Sequence, residues 1–239
     1  MSQLSHALNS AAVPASDRLP AWSWLWLPLV VAVILLVLGH AAPDFYAVWI
    51  GSESRGILEL SHVLLPLAGL VVALRTVTLP VLRGQPWLYA WIGFAALACL
   101  YIAGEEASWG QHYFGWVTPE SWQALNDQGE TNLHNTSSWL DQKPRSLLEL
   151  GVIVGGIIVP IVALWRPKIR QTWFGVVLPP LICLPVAVLA EFARMTERLL
   201  KALTDGAYLF NRASEVQELY FFYFILLYLI VLRRRLKQA

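Results

Sequence analysis

The stretch "GEEASWGQH", residues 104–112, places two carboxylates, a hydroxyl and an imidazole directly after a long apolar run. Glu105, Ser108 and His112 stand at i, i+3 and i+7, so they share a face if the helix continues, while Glu106 points elsewhere. Carboxylates at a helix C-terminus oppose the macrodipole, so helix propensity does not account for them. The pattern favours a functional site, and ordinary interfacial residues at a helix end are the alternative interpretation.

A second stretch, "ELSH", carries Glu59 and His62. Their i, i+3 spacing is the one by which carboxylate-bridged metal bundles present a Glu and a His from one helix. Pro66 has no N–H to donate to the carbonyl of His62, which predicts a kink and a free backbone acceptor beside the imidazole. A histidine held by structural hydrogen bonds is the alternative.

A polar segment separates the third and fourth apolar runs. Thr118 as N-cap and Pro119 as the first helical residue predict a short helix that runs up to Gly129. The "GETNLHN" that follows is dense in coordinating and hydrogen-bonding side chains. We expect the tryptophans of this segment to lie at the membrane interface, and the loop to fold back so that Glu130 and His134 reach the carboxylates.

Other ionisable residues differ in how well local structure explains them. Glu149 completes a Ser-x-x-Glu capping box at a helix start, so its role is structural. Glu191 and Glu218 lie deep among apolar residues, where a charge is costly and functional by default. Arg194 follows Glu191 at i+3 and either forms a salt bridge or holds an anionic head group.

These side chains define a candidate site with three roles. The candidate metal ligands are His62, His112, His134, Glu105 and Glu59. The candidate catalytic residues are Glu106, Ser108 and Glu218, with Glu106 or Glu218 as general base. The candidate substrate-binding residues are Gln111, Trp109, Asn132, Asn135 and Arg194. Mixed imidazole and carboxylate ligands suit zinc or iron, which would polarise an ester, amide or phosphoryl oxygen and activate water near neutral pH.

The composition shows what must position these residues. Of the 239 residues, 57% are hydrophobic and 14% are charged, which is too little polar surface for a soluble domain. The net charge of +1 is not pooled in a basic patch, so nucleic acid is not an expected partner. Cys99 and Cys183 lie within apolar runs and predict no disulfide framework. The chain is therefore expected to be a polytopic membrane protein.

Hydropathy predicts an all-α bundle of six transmembrane helices, since each apolar run approaches the ~20 residues needed to cross. The predicted spans are 22–42, 57–80, 87–108, 147–166, 173–194 and 214–233. They leave an N-terminal tail at 1–21, an outer loop at 109–146 that contains the short interfacial helix, and a basic tail at 234–239. The glycines of "GVIVGG", 151–156, predict close packing of the fourth span.

The basic residues predict the orientation. With both termini in the cytoplasm of a bacterial inner membrane, the inner edge receives the run 233–235 and a modest majority of all lysines and arginines, in agreement with the positive-inside rule. The carboxylates then fall in one layer near the outer interface, roughly 22–27 Å above the inner boundary at 1.5 Å per residue. Any chemistry is therefore expected to face outward.

Two resemblances accompany these patterns. "GEEASWGQ", "QGETNLHN" and "EVQE" together resemble a signature of bacterial inner-membrane proteins over roughly residues 95–225, a group for which we know no activity. The architecture is also similar to the alkaline ceramidase-like membrane hydrolases, whose zinc site combines three histidines, an acid and a serine. That similarity implies His62, His112 and His134 as ligands, with Glu105 or Glu59 as the acid and Ser108 or Ser61 as the serine. In the last span Glu215 and Glu218 stand where that superfamily has His-x-x-x-His.

The sequence thus predicts an outward-facing membrane enzyme, dependent on a divalent metal, that hydrolyses or transfers a group of a lipid or lipid-linked substrate. One alternative is a transporter, receptor or assembly protein whose acidic layer binds a cation or a basic ligand. The lack of a broken-helix repeat pair weighs against a transporter. A haem held by two histidines and a set of ion-paired helix ends without activity are two further alternatives. The oligomeric state stays open.

Overall fold

The computed structural model describes residues 17–53, 55–123, 125–126, 129–133, 136, 138–204 and 206–238, with residues 138–142 described by backbone only. Within these ranges the chain is helical and contains no strand. The predicted all-α class is therefore confirmed.

Six helices in the described part of the chain are long and apolar enough to cross a membrane, which makes the chain an integral membrane protein. Their bounds are α1 Trp22–Ala41, α2 Ile57–Val77, α3 Pro86–Glu106, α4 Lys143–Trp165, α5 Leu184–Leu203 and α6 Ala213–Gln238. The fifth spanning segment begins earlier, at Gly175, with two short 3₁₀ turns that precede α5. The sixth helix extends through most of the predicted basic tail.

The helices alternate in direction, so charges of opposite sign gather at opposite ends of the bundle. Contacts between α2, α3 and α6 define one end, called here the acidic end, which carries Glu59, Glu105, Glu106, Glu149, Glu215 and Glu218. At the other end Arg233 donates to the carbonyl of Arg75, and Arg234 donates to that of Arg18. Residue 17 and the end of α6 both lie at this second end.

Helix α6 forms the centre of the bundle. It packs against α2 on one side and α5 on the other. More than half of the most apolar part of α6 is buried, a larger share than in any other described span. Tyr220, Phe221 and Leu232 are among its fully buried side chains. Since lipid tails are as apolar as these residues, close van der Waals packing, rather than removal from water, stabilises such contacts.

A buried ion pair closes the end of the bundle that is opposite the acidic end. Arg235 Nε and Nη2 donate to the two carboxylate oxygens of Asp17, each at 2.6 Å, and both residues are buried. The remaining Arg235 nitrogen donates to the carbonyls of Val176 at 2.8 Å and Leu178 at 2.6 Å. This planar, bidentate geometry is the one in which a buried charge pair is well satisfied.

One side of the bundle is open. Helix α3 packs on α2 and α4 packs on α5 and α6, but α3 and α4 make few contacts with each other. Phe94 and Leu97 of α3 and Leu147 of α4 are each more than 65% exposed. The space between these two helices therefore faces the lipid.

Candidate functional site

A shared helical face for Glu105, Ser108 and His112 would require helix α3 to continue through the stretch 104–112, and it does not. It ends at Glu106, and Ser108, Trp109 and Gly110 adopt left-handed φ angles of 45°, 53° and 105°. The Trp109 ring lies so close to Gly104 that a Cβ there would stand 2.9 Å from it. The Trp109 indole N–H also donates to Glu105 Oε1 at 2.8 Å. These two contacts turn the chain back over the helix end.

The turn builds a first cluster, called here the loop cluster, from Ser108, His112, Glu130 and Asn132. Ser108 Oγ donates to Glu130 Oε2 at 2.8 Å, and His112 Nε2 lies 2.9 Å from Glu130 Oε1. The Asn132 amide donates to Glu130 Oε2 at 2.6 Å and to Ser108 Oγ at 3.0 Å. The loop thus folds back and brings Glu130 to His112.

The geometry of the loop cluster differs from that of a Ser-His-acid triad. Ser108 Oγ and Glu130 Oε1 both approach the same nitrogen, His112 Nε2, at 3.0 Å and 2.9 Å. In a triad the acid orients one ring nitrogen while the other nitrogen faces the nucleophile. Here the serine proton is directed at the carboxylate of Glu130 instead of at the imidazole, so the geometry is not that of a triad and the contacts hold the loop.

The electrostatics of Glu130 fit this holding role. Burial alone raises the pKa of its carboxyl, but the hydrogen bonds from His112, Ser108 and Asn132 favour the ionised form more strongly. The net result is a pKa below the ordinary value. Glu130 is therefore the ionised acceptor around which the loop is organised.

Gln111 fastens the loop from the other side. Its amide oxygen accepts from the backbone N–H of Thr131 at 2.7 Å, and its amide nitrogen donates to Thr118 Oγ1 at 2.7 Å. Thr131 Oγ1 in turn donates to the Ser108 carbonyl at 3.0 Å. Both ends of the Gln111 side chain thus bind protein atoms. The buried Asn132 side chain binds protein atoms as well. The sequence predicts Gln111 and Asn132 as substrate contacts, but here they hold the loop.

A second cluster, called here the histidine–carboxylate cluster, surrounds His62 of α2. The ring is fully buried and its Nε2 lies 3.0 Å from the carbonyl oxygen of Glu215. Since a carbonyl only accepts, Nε2 carries the hydrogen and Nδ1 of the neutral ring presents a lone pair. Nδ1 has no hydrogen-bond partner and lies 3.5 Å from Glu106 Oε2 and 3.7 Å from Glu215 Oε2. A lone pair that faces carboxylates requires a cation between them, either a proton or a metal ion.

Two arginines border this cluster. Arg145 Nη1 lies 3.0 Å from Glu218 Oε1, and its Nη2 donates to the amide oxygen of Gln217 at 3.2 Å. Arg212 Nη2 lies 3.3 Å from Glu59 Oε1 and 3.5 Å from Glu215 Oε1. Each guanidinium thus fixes carboxylates that would otherwise repel one another.

Among the described residues, two sets of side chains could hold a metal ion, with ligand atoms within 4.8 Å of one another. One set is Glu59, His62 and Glu215, and the other is His62, Glu106 and Glu218. Both sets share His62. The pairing of Glu59 with His62 agrees with the sequence pattern, and Glu106 and Glu218 join as potential ligands rather than as distant bases.

Other predicted residues lie elsewhere. Glu105 accepts from the Trp109 indole and, at 2.7 Å, from the backbone N–H of Leu133, so it supports the loop. His112 belongs to the loop cluster. Arg194 pairs with Glu197 within α5. His134 and Asn135 lie outside the described residues.

Sequence reasoning missed Glu215, Arg145 and Arg212 as members of the site. Glu215 stands three residues before Glu218, which repeats the i, i+3 spacing of Glu59 and His62 and is a signal that could have identified it. Arg212 stands three residues before Glu215 and could have been identified in the same way. Arg145 carries no such signal, because its carboxylate partner Glu218 lies on another helix.

A cavity of about 620 Å³ joins the two clusters and continues between α3 and α4. Its polar part includes Glu106, His112 and Glu218, and its apolar part includes Phe94 and Leu147. The site thus opens both towards the acidic end and towards lipid. No protein-family model, no curated protein and no solved structure matches this chain.

Proposed function

We propose that the protein is an integral-membrane enzyme that uses a divalent metal, zinc or iron, to hydrolyse or transfer a group of a lipid or lipid-linked substrate. The observation that carries this proposal is the unpartnered, buried Nδ1 of His62, which faces carboxylates from two other helices. Buried polar atoms normally have a hydrogen-bond partner, and a buried nitrogen lone pair beside carboxylates has the ligand chemistry of a cation site.

The ligands in this proposal are His62 Nδ1 and the carboxylates of Glu106 and Glu218. Three protein ligands leave a coordination position for water or substrate, as catalytic sites require. The three ligand atoms lie within 4.8 Å of one another, so a bound ion would draw them closer together. The carbonyl of Glu215 supports the set from behind, because its bond to Nε2 fixes the tautomer that leaves Nδ1 free to ligate.

A metal bound there supplies a Lewis acid and lowers the pKa of a bound water. The residues around the metal accept a proton and hold the carboxylates in position. Glu215 Oε2 is the next nearest carboxylate to Nδ1, so it is placed to accept a proton from an attacking water or alcohol. Arg212 and Arg145 keep Glu215 and Glu218 in position.

The distribution of charge supports an orientation. We propose that the basic end faces the cytoplasm of a bacterial inner membrane, with both termini on that side, and that the acidic end faces outward. Reaction then takes place at the outer interface, where lipid head groups are within reach.

The proposal is tested by metal content on protein purified in mild detergent without chelators. Wild type is expected to carry about one zinc or iron per chain, measured by inductively coupled plasma mass spectrometry. His62→Ala should lose the metal, because it removes the shared ligand. Glu106→Gln should lower the metal content, since the loss of an outer-shell partner alone typically costs 10–100-fold in metal affinity.

The matched control is His112→Ala, which removes an imidazole from the loop cluster and leaves all three proposed ligands intact. It should retain the metal and elute as a monodisperse peak. Wild type without metal, or equal metal in wild type and His62→Ala, would overturn the metal site. A stoichiometric metal without turnover of any ester, amide or phosphoester lipid would favour the non-enzymatic, cation-binding alternative.

A further inference from the structure

The cavity continues well below the carboxylates. On α3 its lining runs from Glu105 to Phe94, eleven residues, and on α6 it reaches Ile225. At 1.5 Å per residue the α3 wall is about 16 Å long, which is about half of the ~30 Å hydrocarbon thickness. The lower part of the cavity therefore has the depth and the polarity of a slot for a hydrocarbon chain.

The slot is open sideways. Phe94 and Leu147 line it and are each more than 65% exposed, one from α3 and the other from α4. Gly151 lies on the α4 wall, and a Cβ built there meets nothing within 4 Å. A lipid chain could thus enter from the bilayer without passing through water.

The upper part of the cavity is strongly acidic. Its lining holds seven carboxylates against two guanidinium groups, a formal charge of −5 with histidines neutral. A divalent cation would leave it at about −3. The carboxylates are Glu53, Glu59, Glu105, Glu106, Glu130, Glu215 and Glu218.

The cations of the lining are already committed. Arg145 pairs with Glu218 and Arg212 pairs with Glu59 and Glu215. The described lining therefore offers no uncommitted guanidinium or ammonium to an anionic head group, and an added anion would meet the repulsion of the excess carboxylates. An ammonium group would instead gain attraction from them.

We propose that the cleft between α3 and α4 binds an amphiphile with a single chain in the slot and a primary amine at the acidic end. This inference names the substrate class of the proposed function. It rests on that function for the claim that the bound amphiphile reacts. The binding itself depends only on the slot and its carboxylates.

The test is photo-crosslinking in phosphatidylcholine nanodiscs with three probes that differ only in the head group. A diazirine-bearing hexadecylamine is compared with the hexadecanol and the hexadecanoate of the same chain. The amine should label the protein at least about tenfold more than either, a ratio that corresponds to a binding difference of about 1.4 kcal/mol. Labelled peptides should come from α3 and α4.

Two glycine variants locate the binding. Gly151→Phe fills the slot and should abolish the excess labelling by the amine. Gly93→Phe, on α3 outside the cavity lining and with equally open surroundings, should leave it unchanged. Equal labelling by all three probes, or equal labelling of the two variants, would overturn the proposal.

Metal content measured on the same samples separates the two proposals. Amine-selective, Gly151-dependent labelling of a metal-free protein supports the cleft and overturns only the metal site. Metal-loaded protein without selective labelling overturns the cleft and leaves the metal site intact. His62→Ala should lose metal and retain labelling, because the slot lies below the histidine.

Discussion

At the scale of single residues, side chains of the same type have different roles, even when they are adjacent in the sequence. Glu105 and Glu106 are neighbours, yet one supports the loop and the other faces His62, because successive helical residues point about 100° apart. Glu59 and His62, at i, i+3, belong to one candidate ligand set. The separation of His112 from His62 could not be predicted, since it depends on the packing of Trp109 on Gly104, which no local pattern encodes.

The loop cluster predicts a pH-dependent stability. The pKa of Glu130 is lowered in the folded protein, so the ionised carboxylate stabilises the fold above its ordinary value of 4.5, and this contribution disappears as the pH falls through the lower folded pKa. Glu130→Gln should therefore lower the free energy of unfolding by about 1.5–3 kcal/mol near pH 7, the scale of hydrogen bonds to a charged group. The difference should shrink as the pH falls below 4.5 and through the lower pKa of the folded protein.

Thermal unfolding in detergent between pH 3 and pH 7 checks this result. Glu120→Gln is the control, because Glu120 is exposed and belongs to the same loop. A Glu130→Gln variant as stable as wild type across the whole range would contradict an organising role for the carboxylate.

At the scale of elements, the apolar runs predict the spans well and their ends poorly. The sequence pattern ends the last span near residue 233, but α6 continues to Gln238 because Arg233, Arg234 and Arg235 find carbonyl or carboxylate acceptors on other segments. The glycines of α4 also divide in role. Gly156 packs against α5 and α6, as expected of a small residue, whereas Gly151 opens onto the cavity.

The tight contact at Gly156 gives a prediction about helix packing. A Cβ there would lie 2.6 Å from Ala187 Cβ and 2.8 Å from the Phe224 ring, so Gly156→Ala forces a shift of α4. Such overpacking typically costs about 1–3 kcal/mol. The unfolding midpoint should fall by several degrees, which thermal scans monitored by tryptophan fluorescence would detect.

The matched substitution is Gly93→Ala in α3, whose Cβ meets nothing within 4 Å. It should be neutral or slightly stabilising, because alanine is the better helix former. If both variants unfold at the same temperature, α4 does not pack at Gly156 as described.

At the scale of the whole molecule, alternation of direction and segregation of charge follow from hydropathy and composition alone. The open side between α3 and α4 does not, because which helices touch depends on side-chain shape along their full length. For this reason the sequence predicts an acidic layer, while the lipid-facing cleft beneath it is visible only in three dimensions.

The proposed orientation predicts which exposed residues face the periplasm. Both native cysteines are buried, so they should react little with a maleimide, and the labelling of a single introduced cysteine can be measured. Val117→Cys, near the acidic end, should react with a membrane-impermeant maleimide in intact spheroplasts. Lys168→Cys, in the exposed turn between α4 and α5, should react only after the membrane is permeabilised.

Both positions are exposed and lie outside the spans, so a difference between them reports sidedness rather than burial. The opposite pattern of labelling would show that the acidic end faces the cytoplasm.

The ion pair between Asp17 and Arg235 joins the beginning of the described chain to its end. Arg235 is synthesised 218 residues after Asp17 and cannot reach it until the last span has entered the bilayer. During translation the Asp17 carboxylate therefore has no ion pair with Arg235 while α2 to α6 are inserted. The contact that joins the segment before α1 to the end of α6 can thus form only after α6 has been synthesised, and its formation reports the insertion of that helix.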